Sequence, residues 1–397
     1  MGEGVTPRRT AAESDLDGDS RPVVPSADPP TAGAPAPTEL PEHVPDHMPR
    51  VRFTRRRLIG SVLFVISAVA FMYFVLPKLL GLRQTWNRLQ QGDVWWLLVA
   101  FVLEAISFVG YVVLFRAVFL DRENRIDWKA SYLITMASLV ATRLFAAAGA
   151  GGIALTVWAL RRSGMPSRTV ASRMIAFLVI LYAVYMVTLV IDGLGLYLGL
   201  WAATPPAPFA ITVVPAIFGA VVILLFLGMS LLPDDFDRLV GRWTWNTGQL
   251  GAATRRIAKG PAAAAAAVRT ALALLRSRNP NLLGALVWWG FDIATLWACF
   301  HAFGASPNKA VIVMAYFVGW IGNTLPLPGG IGGVEGGMIG AFSAFGVNVE
   351  TAVVAVLAYR AFSFWLPTLP GAVAYFQLRR TVSRWREAET AGVHSYT

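Results

Sequence analysis

Long uncharged apolar runs recur along the chain near residues 59–76, 95–119, 131–148, 171–199, 209–232, 282–303, 310–327 and 351–376. Each approaches or exceeds the roughly 20 residues that a helix needs to cross about 30 Å of hydrocarbon. None alternates apolar and polar positions as a porin strand does, and backbone N–H and C=O groups cannot stay unpaired in lipid. The pattern therefore predicts an all-α polytopic membrane protein with about eight transmembrane helices. The connections sort by charge. Arg161, Arg162, Arg168 and Arg173 fall in one connection without an acid, and 233–281 is also strongly basic, so both read as cytoplasmic. The connection 201–208 is uncharged and 304–309 carries one lysine, so both read as external; 77–94, with Lys78, Arg83 and Arg88, fits the scheme less well. Within 233–281, Pro261 and the alanine run 262–267 suggest helices lying on the cytoplasmic face, the alternative being a charged linker.

An internal repeat runs through these segments. KASYLITMASLVATRLFAAAGAGG from Lys129 resembles KAVIVMAYFVGWIGNTLPLPGGIGG from Lys309, with Lys129 to Gly149 spaced like Lys309 to Gly329. Upstream of each lies an apolar segment with one acid, Glu104 or Asp292. Downstream of each, a short helical stretch ends in glycine, at Gly164 or Gly346. Only about 12 apolar residues follow each glycine cluster, too few for a comfortable span. The expected solution is a glycine-rich re-entrant hairpin in each half, the two repeats being inverted relative to each other, with the broken backbone at the centre of the bundle.

The second hairpin, 323–335, is the richer in chemistry. Pro326 and Pro328 stop a helix and hold their predecessors extended. Gly329, Gly330, Gly332 and Gly333 let backbone donors approach a ligand, and a helix starting near Val334 would point its partially positive end at the same place. That combination favours an anion such as a phosphate, although the same glycines read equally as a tight helix crossing. Glu104, Arg143, Asp292, Glu335 and Arg360 fall within or beside apolar segments, where an unpaired charge costs at least about 2.5–3.5 kcal/mol. Arg360 and Glu335 are candidate partners, either as a structural ion pair or within a substrate or proton pathway. Arg143, Asn323 and Arg360 are accordingly candidate headgroup-binding residues, with Glu335, Glu104 and Asp292 as candidate charge-coupling groups. Asp192 and Arg173, nearer segment ends, read as groups that snorkel to the interface.

Composition sharpens the picture at the ends of the chain. Residues 1–50 hold ten prolines and nine acids with few large apolar side chains, the signature of a disordered cytoplasmic tail. The cluster Arg50, Arg52, Arg55, Arg56 and Arg57 then precedes the first apolar run and should keep that tail inside. Residues 51–380 form the expected transmembrane domain and 381–397 a polar cytoplasmic tail, so both termini are expected in the cytoplasm of a multi-pass cell-membrane protein. Over 51–397 there are 30 basic and 14 acidic residues, an excess that suits anionic headgroups and explains the basic loops without nucleic-acid binding. A single cysteine, Cys299, forbids an intrachain disulfide. His301 stands alone among the apolar segments, so neither a metal nor a cofactor is expected.

The strings NTLPLPGGIGGVEGG (323–337) and LAYRAFSFWLPTLPG (357–371) resemble the signature of the lysylphosphatidylglycerol synthase transmembrane-region family, over roughly 55–380. The resemblance implies an eight-helix, flippase-like domain with the second hairpin, Glu335 and Arg360 in its central site. Arg143–Gly152, the first-half counterpart, lacks the prolines and the glutamate. Synthases of that family carry a soluble aminoacyltransferase domain, which this sequence lacks after residue 380, so lysyl transfer is not expected and the chain reads as a stand-alone member. The leading expectation is a lipid flippase or transporter for an anionic phospholipid or a polyprenyl-phosphate-linked lipid. The alternatives are an intramembrane lipid-modifying enzyme using Glu335 or Asp292, and an accessory subunit of a glycosyltransferase. Membrane lipids are the expected partners.

Overall fold

The computed structural model describes residues 89–120, 126–144, 150–201, 208–231, 264–324 and 330–390. The apolar segment 59–76, the tail 1–50, most of 233–281, Gly149, Pro326, Pro328 and Gly329 lie outside the described residues. Among the described residues every regular element is helical. They are α1 (Val94–Phe119), α2 (Trp128–Leu144), α3 (Ala150–Arg162), α4 (Ser167–Tyr197), α5 (Phe209–Ser230), α6 (264–276), α7 (Gly284–Ala302), α8 (Lys309–Ile321), α9 (Gly333–Ala344), α10 (Val349–Arg360) and α11 (Thr368–Thr390).

Five stretches among the described residues are long and apolar enough to cross a membrane: α1, α4, α5, the run Pro280–Ala302 that contains α7, and the run Val349–Arg384 through α10 and α11. They correspond to five of the eight segments expected from hydropathy. The segment near 310–327 instead folds as α8, of 13 residues, which ends in a 3-10 turn, Gly322–Thr324, with α9, of 12 residues, beginning at Gly333; the segment near 131–148 holds α2 up to Leu144, and residues 145–149 lie outside the described residues. At 1.5 Å per residue, a 13-residue helix covers roughly 20 Å, well short of the hydrocarbon thickness. Hydropathy alone misses the end of α8 because the residues around it remain apolar. At the other end, α11 continues beyond residue 380 to Thr390, into the segment expected to be a polar tail.

Local signals account for the boundaries. Asp93 caps α1 by accepting the Trp95 N–H at 2.9 Å, Asn308 caps α8 by accepting from Ala310, and Asn348 caps α10 by accepting from Thr351. The ends of α3 and α9 are built alike. Gly164 and Gly346 adopt positive φ, and the following N–H groups, of Met165 and Val347, reach back to the carbonyls of Leu160 and Phe342.

The acid-bearing helices α1 and α7 pack antiparallel along their length. Asp93 N–H donates to the Ala302 carbonyl at one end, the Ser107 hydroxyl donates to the Trp288 carbonyl near the middle, and Gly110 meets Gly284 at the other end. A Cβ on Gly284 would lie 2.7 Å from the Leu114 nitrogen, so the crossing needs glycine there. Close backbone approach of this kind is how helices associate in lipid, where apolar surface gains nothing by leaving apolar solvent. Two further pairings, α4 with α5 and α2 with α11, flank this centre, while α8 and α9 pack on each other and α9 on α10. Every residue of α10 from Ala352 to Arg360 is buried, as expected of a helix apolar on all sides. By contrast α5 turns Phe209, Ile217, Phe218, Leu224 and Leu225 outward, a surface compatible only with lipid or another apolar partner.

Candidate functional site

The α1–α7 register brings Glu104 to Asp292. Both are 2% exposed, and the two carboxyl groups lie within hydrogen-bonding reach of each other. The Tyr316 hydroxyl, from α8, donates to Asp292 Oδ2 at 2.5 Å. Glu104 Oε2 and Asp292 Oδ1 accept no hydrogen bond from another group among the described residues, an unusual condition for buried oxygens, and the two carboxyls are close enough to share a proton. His301 and Cys299 lie elsewhere on α7: Cys299 is a buried free thiol, and the His301 ring packs against Trp96 and Trp297. No group of three metal-ligating side chains occurs among the described residues.

The second charged cluster is built from the turn after α10. Glu335 sits in the first turn of α9, wholly buried. Its Oε2 accepts the Gly332 N–H at 2.6 Å and its Oε1 accepts Arg360 Nε at 2.5 Å. The candidate partners of the sequence reading are therefore a buried ion pair. Gly332, with φ of 86°, is in a region that L side chains rarely adopt, and this bend is what lets the Glu335 carboxylate reach back to its N–H. That N–H is thus taken by Glu335. Gly330, also at positive φ, lies against the Asn323 side chain, and Gly333 has its carbonyl against Gly322 in the turn after α8. The described glycines of this hairpin thus serve the bend and the close α8–α9 crossing.

Arg360 is followed by a π-helical turn, Ala361–Trp365, in which Leu366 N–H bonds back to the Ala361 carbonyl. The cause is two residues on. Pro367 has no N–H, so the Ser363 carbonyl lacks its normal donor four residues ahead. Arg143, at the end of α2, supplies it: Nη2 donates to the Ser363 carbonyl and Nη1 to the Phe364 carbonyl, both at 2.6 Å. The Arg143 and Arg360 guanidinium carbons lie over the same Phe364 ring, 4.9 and 4.6 Å from its centre. The hydrogen bonds of Arg143 thus go to neutral oxygens, and it carries its positive charge into the site without a carboxylate at ion-pair distance among the described residues.

These clusters border one cavity of about 400 Å³. Glu104, Asp292, Arg143, Arg360 and Asn323 all line it, together with Phe364 and aromatic side chains such as Trp289 and Tyr111. Glu335 stands behind Arg360. Five of the sequence-derived site residues therefore converge from α1, α2, α7, α10 and the turn after α8. Arg143 and Asn323 occupy matching places in the two repeated sequences and meet here. Sequence reasoning missed Ser363, Phe364 and Tyr316. Pro367 was the available signal for the first two, since it orphans a carbonyl inside a membrane helix. Nothing local marks Tyr316.

An all-helical bundle with several apolar spans, short paired helices and a charged internal cavity defines a polytopic integral membrane protein with a polar site between its helices. The chain belongs to the lysylphosphatidylglycerol synthase TM region family, whose pattern it matches over residues 58–371. It is similar to a UPF0104 membrane protein of Methanothermobacter thermautotrophicus, with 26% identity over 345 residues that cover 80% of this chain and 95% of the relative. A further match to a UPF0104 membrane protein of the same organism reaches 36% identity over 87 residues, or 22% of this chain and 25% of the relative.

Proposed function

We propose that the protein is a lipid flippase or transporter that moves an anionic phospholipid or a polyprenyl-phosphate-linked lipid across the cytoplasmic membrane. The observation that carries this reading is the convergence of Arg143 and Arg360 on one cavity inside an apolar helical bundle. A fixed pair of guanidiniums, with their planar forks, suits a phosphate better than any neutral headgroup. Asn323 adds a polar side chain from the break after α8. Glu104 and Asp292, across the cavity, supply acids that can exchange protons as the anion enters and leaves. The antiparallel course of α1 and α7, the matched ends of α3 and α9, and the sub-membrane length of α8 and α9 support two inverted repeats, each with a re-entrant hairpin, around this site. Alternating access would then follow from one repeat rocking against the other. In this reading both termini are cytoplasmic.

A second reading has its own observation. The Asp292–Tyr316 hydrogen bond beside Glu104 is a set of proton-transfer groups that could act on a bound lipid. Reconstitution into liposomes with headgroup-labelled phosphatidylglycerol, labelled polyprenyl phosphate and labelled phosphatidylcholine separates the two. Transport predicts leaflet exchange of one of the anionic lipids with its mass unchanged, and Arg143→Met should slow it at least tenfold. No exchange, or recovery of a chemically altered lipid, overturns the transport reading.

A further inference from the structure

A second cavity, of about 530 Å³, opens on the flank of the bundle between α1, α2 and the break that joins α10 to α11. Its walls are apolar, among them Phe101, Val109, Tyr132, Leu366 and Leu369, and all of these are exposed. One polar residue lines it: Glu104, which also lines the charged central cavity. The same helix break serves both spaces, because Ser363 and Phe364 face the central cavity while Leu366, Pro367, Leu369 and Pro370 face the groove. Pro367 removes a backbone donor at the start of this wall, and Pro370 sits in the first turn of α11, where a missing N–H costs little.

We propose that this groove seats an acyl chain of the anionic phospholipid whose phosphate is held by Arg143 and Arg360, the inference resting on the transport reading above. The central cavity holds the two guanidiniums among largely aromatic walls, whereas no cation lines the groove to hold a phosphate. A molecule that is anionic at one end and apolar at the other satisfies both, and the boundary falls at Glu104. The volume lies within the roughly 300–1,000 Å³ usual for small-molecule sites. It therefore fits an acyl chain and not a much longer polyprenyl chain. Open to the lipid phase along exposed side chains of α1 and α11, the groove lets the chain stay in hydrocarbon while the headgroup crosses inside the protein.

The test uses the full chain in nanodiscs with phosphatidylglycerol or phosphatidylcholine bearing a photoactivatable diazirine near the end of one acyl chain. The phosphatidylglycerol probe should label peptides containing Val109, Tyr132 or Leu369 several-fold more than its phosphatidylcholine counterpart. Ala105→Trp, which places a large ring in the groove from an exposed position of α1, should abolish that excess and cut liposomal exchange at least tenfold without lowering thermal stability. Val109→Trp gives the same readout should the first variant fold poorly. Equal labelling by the two probes would mean annular lipid and overturns the groove, as does full exchange in a groove-filled variant. Displacement of the probe by polyprenyl phosphate but not by unlabelled phosphatidylglycerol overturns the assigned occupant. Selective labelling that Ala105→Trp removes, in a protein that exchanges no lipid, would uphold the groove and refute transport alone.

Discussion

The buried pair of Glu335 and Arg360 allows a stability prediction that separates folding from function. Arg360→Gln leaves the Glu335 carboxylate at 0% exposure, held by the Gly332 N–H. Removing one member of a buried ion pair costs about 3–5 kcal/mol, since the partner's charge stays desolvated. Glu335→Gln should also destabilise, by taking the carboxylate away from the buried guanidinium, although its amide oxygen can still accept from Gly332. The double substitution puts two neutral amides in the same place and should recover about 2–3 kcal/mol relative to additivity. Cys299 supplies the assay, because it is the single thiol of the chain and fully buried, so a thiol-reactive fluorophore reports unfolding directly. At roughly 2–4 °C per kcal/mol, Arg360→Gln should melt on the order of 10 °C below wild type, with the double variant well above it. Lipid exchange should stay low in the double variant despite its recovered fold, because the Arg360 charge is gone. Wild-type melting of Arg360→Gln, or a double variant as unstable as the sum of the singles, would refute the argument from the ion pair. Wild-type exchange by the double variant would remove Arg360 from headgroup binding.

Three other outcomes follow from the same geometry. Arg143→Met should destabilise by about 1–3 kcal/mol, because the Ser363 carbonyl loses its substitute donor; adding Pro367→Ala, which restores an N–H at the normal position, should return most of that stability in the thiol-reactivity melt. Gly332→Ala should cost about 1–2 kcal/mol through its positive φ alone, since no atom blocks a Cβ there, and wild-type melting of that variant would show that the bend is not strained. In a Cys299→Ala background, a cysteine at Ser163 should react with an impermeant maleimide only from the cytoplasm and one at Ala203 only from outside; external labelling at Ser163 would mean that the first hairpin does not return and would end the inverted-repeat proposal.

The sequence by itself determined the class of this protein, because an uncharged run of about 20 residues has few stable solutions in lipid other than a helix. Five of the runs read this way form helices long and apolar enough to cross a membrane among the described residues, and the repeated glycine endings at Gly164 and Gly346 are equivalent caps. The pairing of Glu335 with Arg360 was also legible, since two opposite charges in apolar segments have strong reason to meet. Tertiary structure alone decided the rest. Whether α8 crosses or stops short depends on what packs over its end, and its hydropathy does not report it. The approach of Glu104 to Asp292 follows from the α1–α7 register, set by the close contact of Gly110 with Gly284. Above all, Arg143 finds its partners more than 200 residues away, at the carbonyls of Ser363 and Phe364. Pro367 announces in the sequence that a backbone acceptor will be orphaned, but which side chain comes to satisfy it is a fact of three-dimensional packing, because donors are many and only the fold sets their distance.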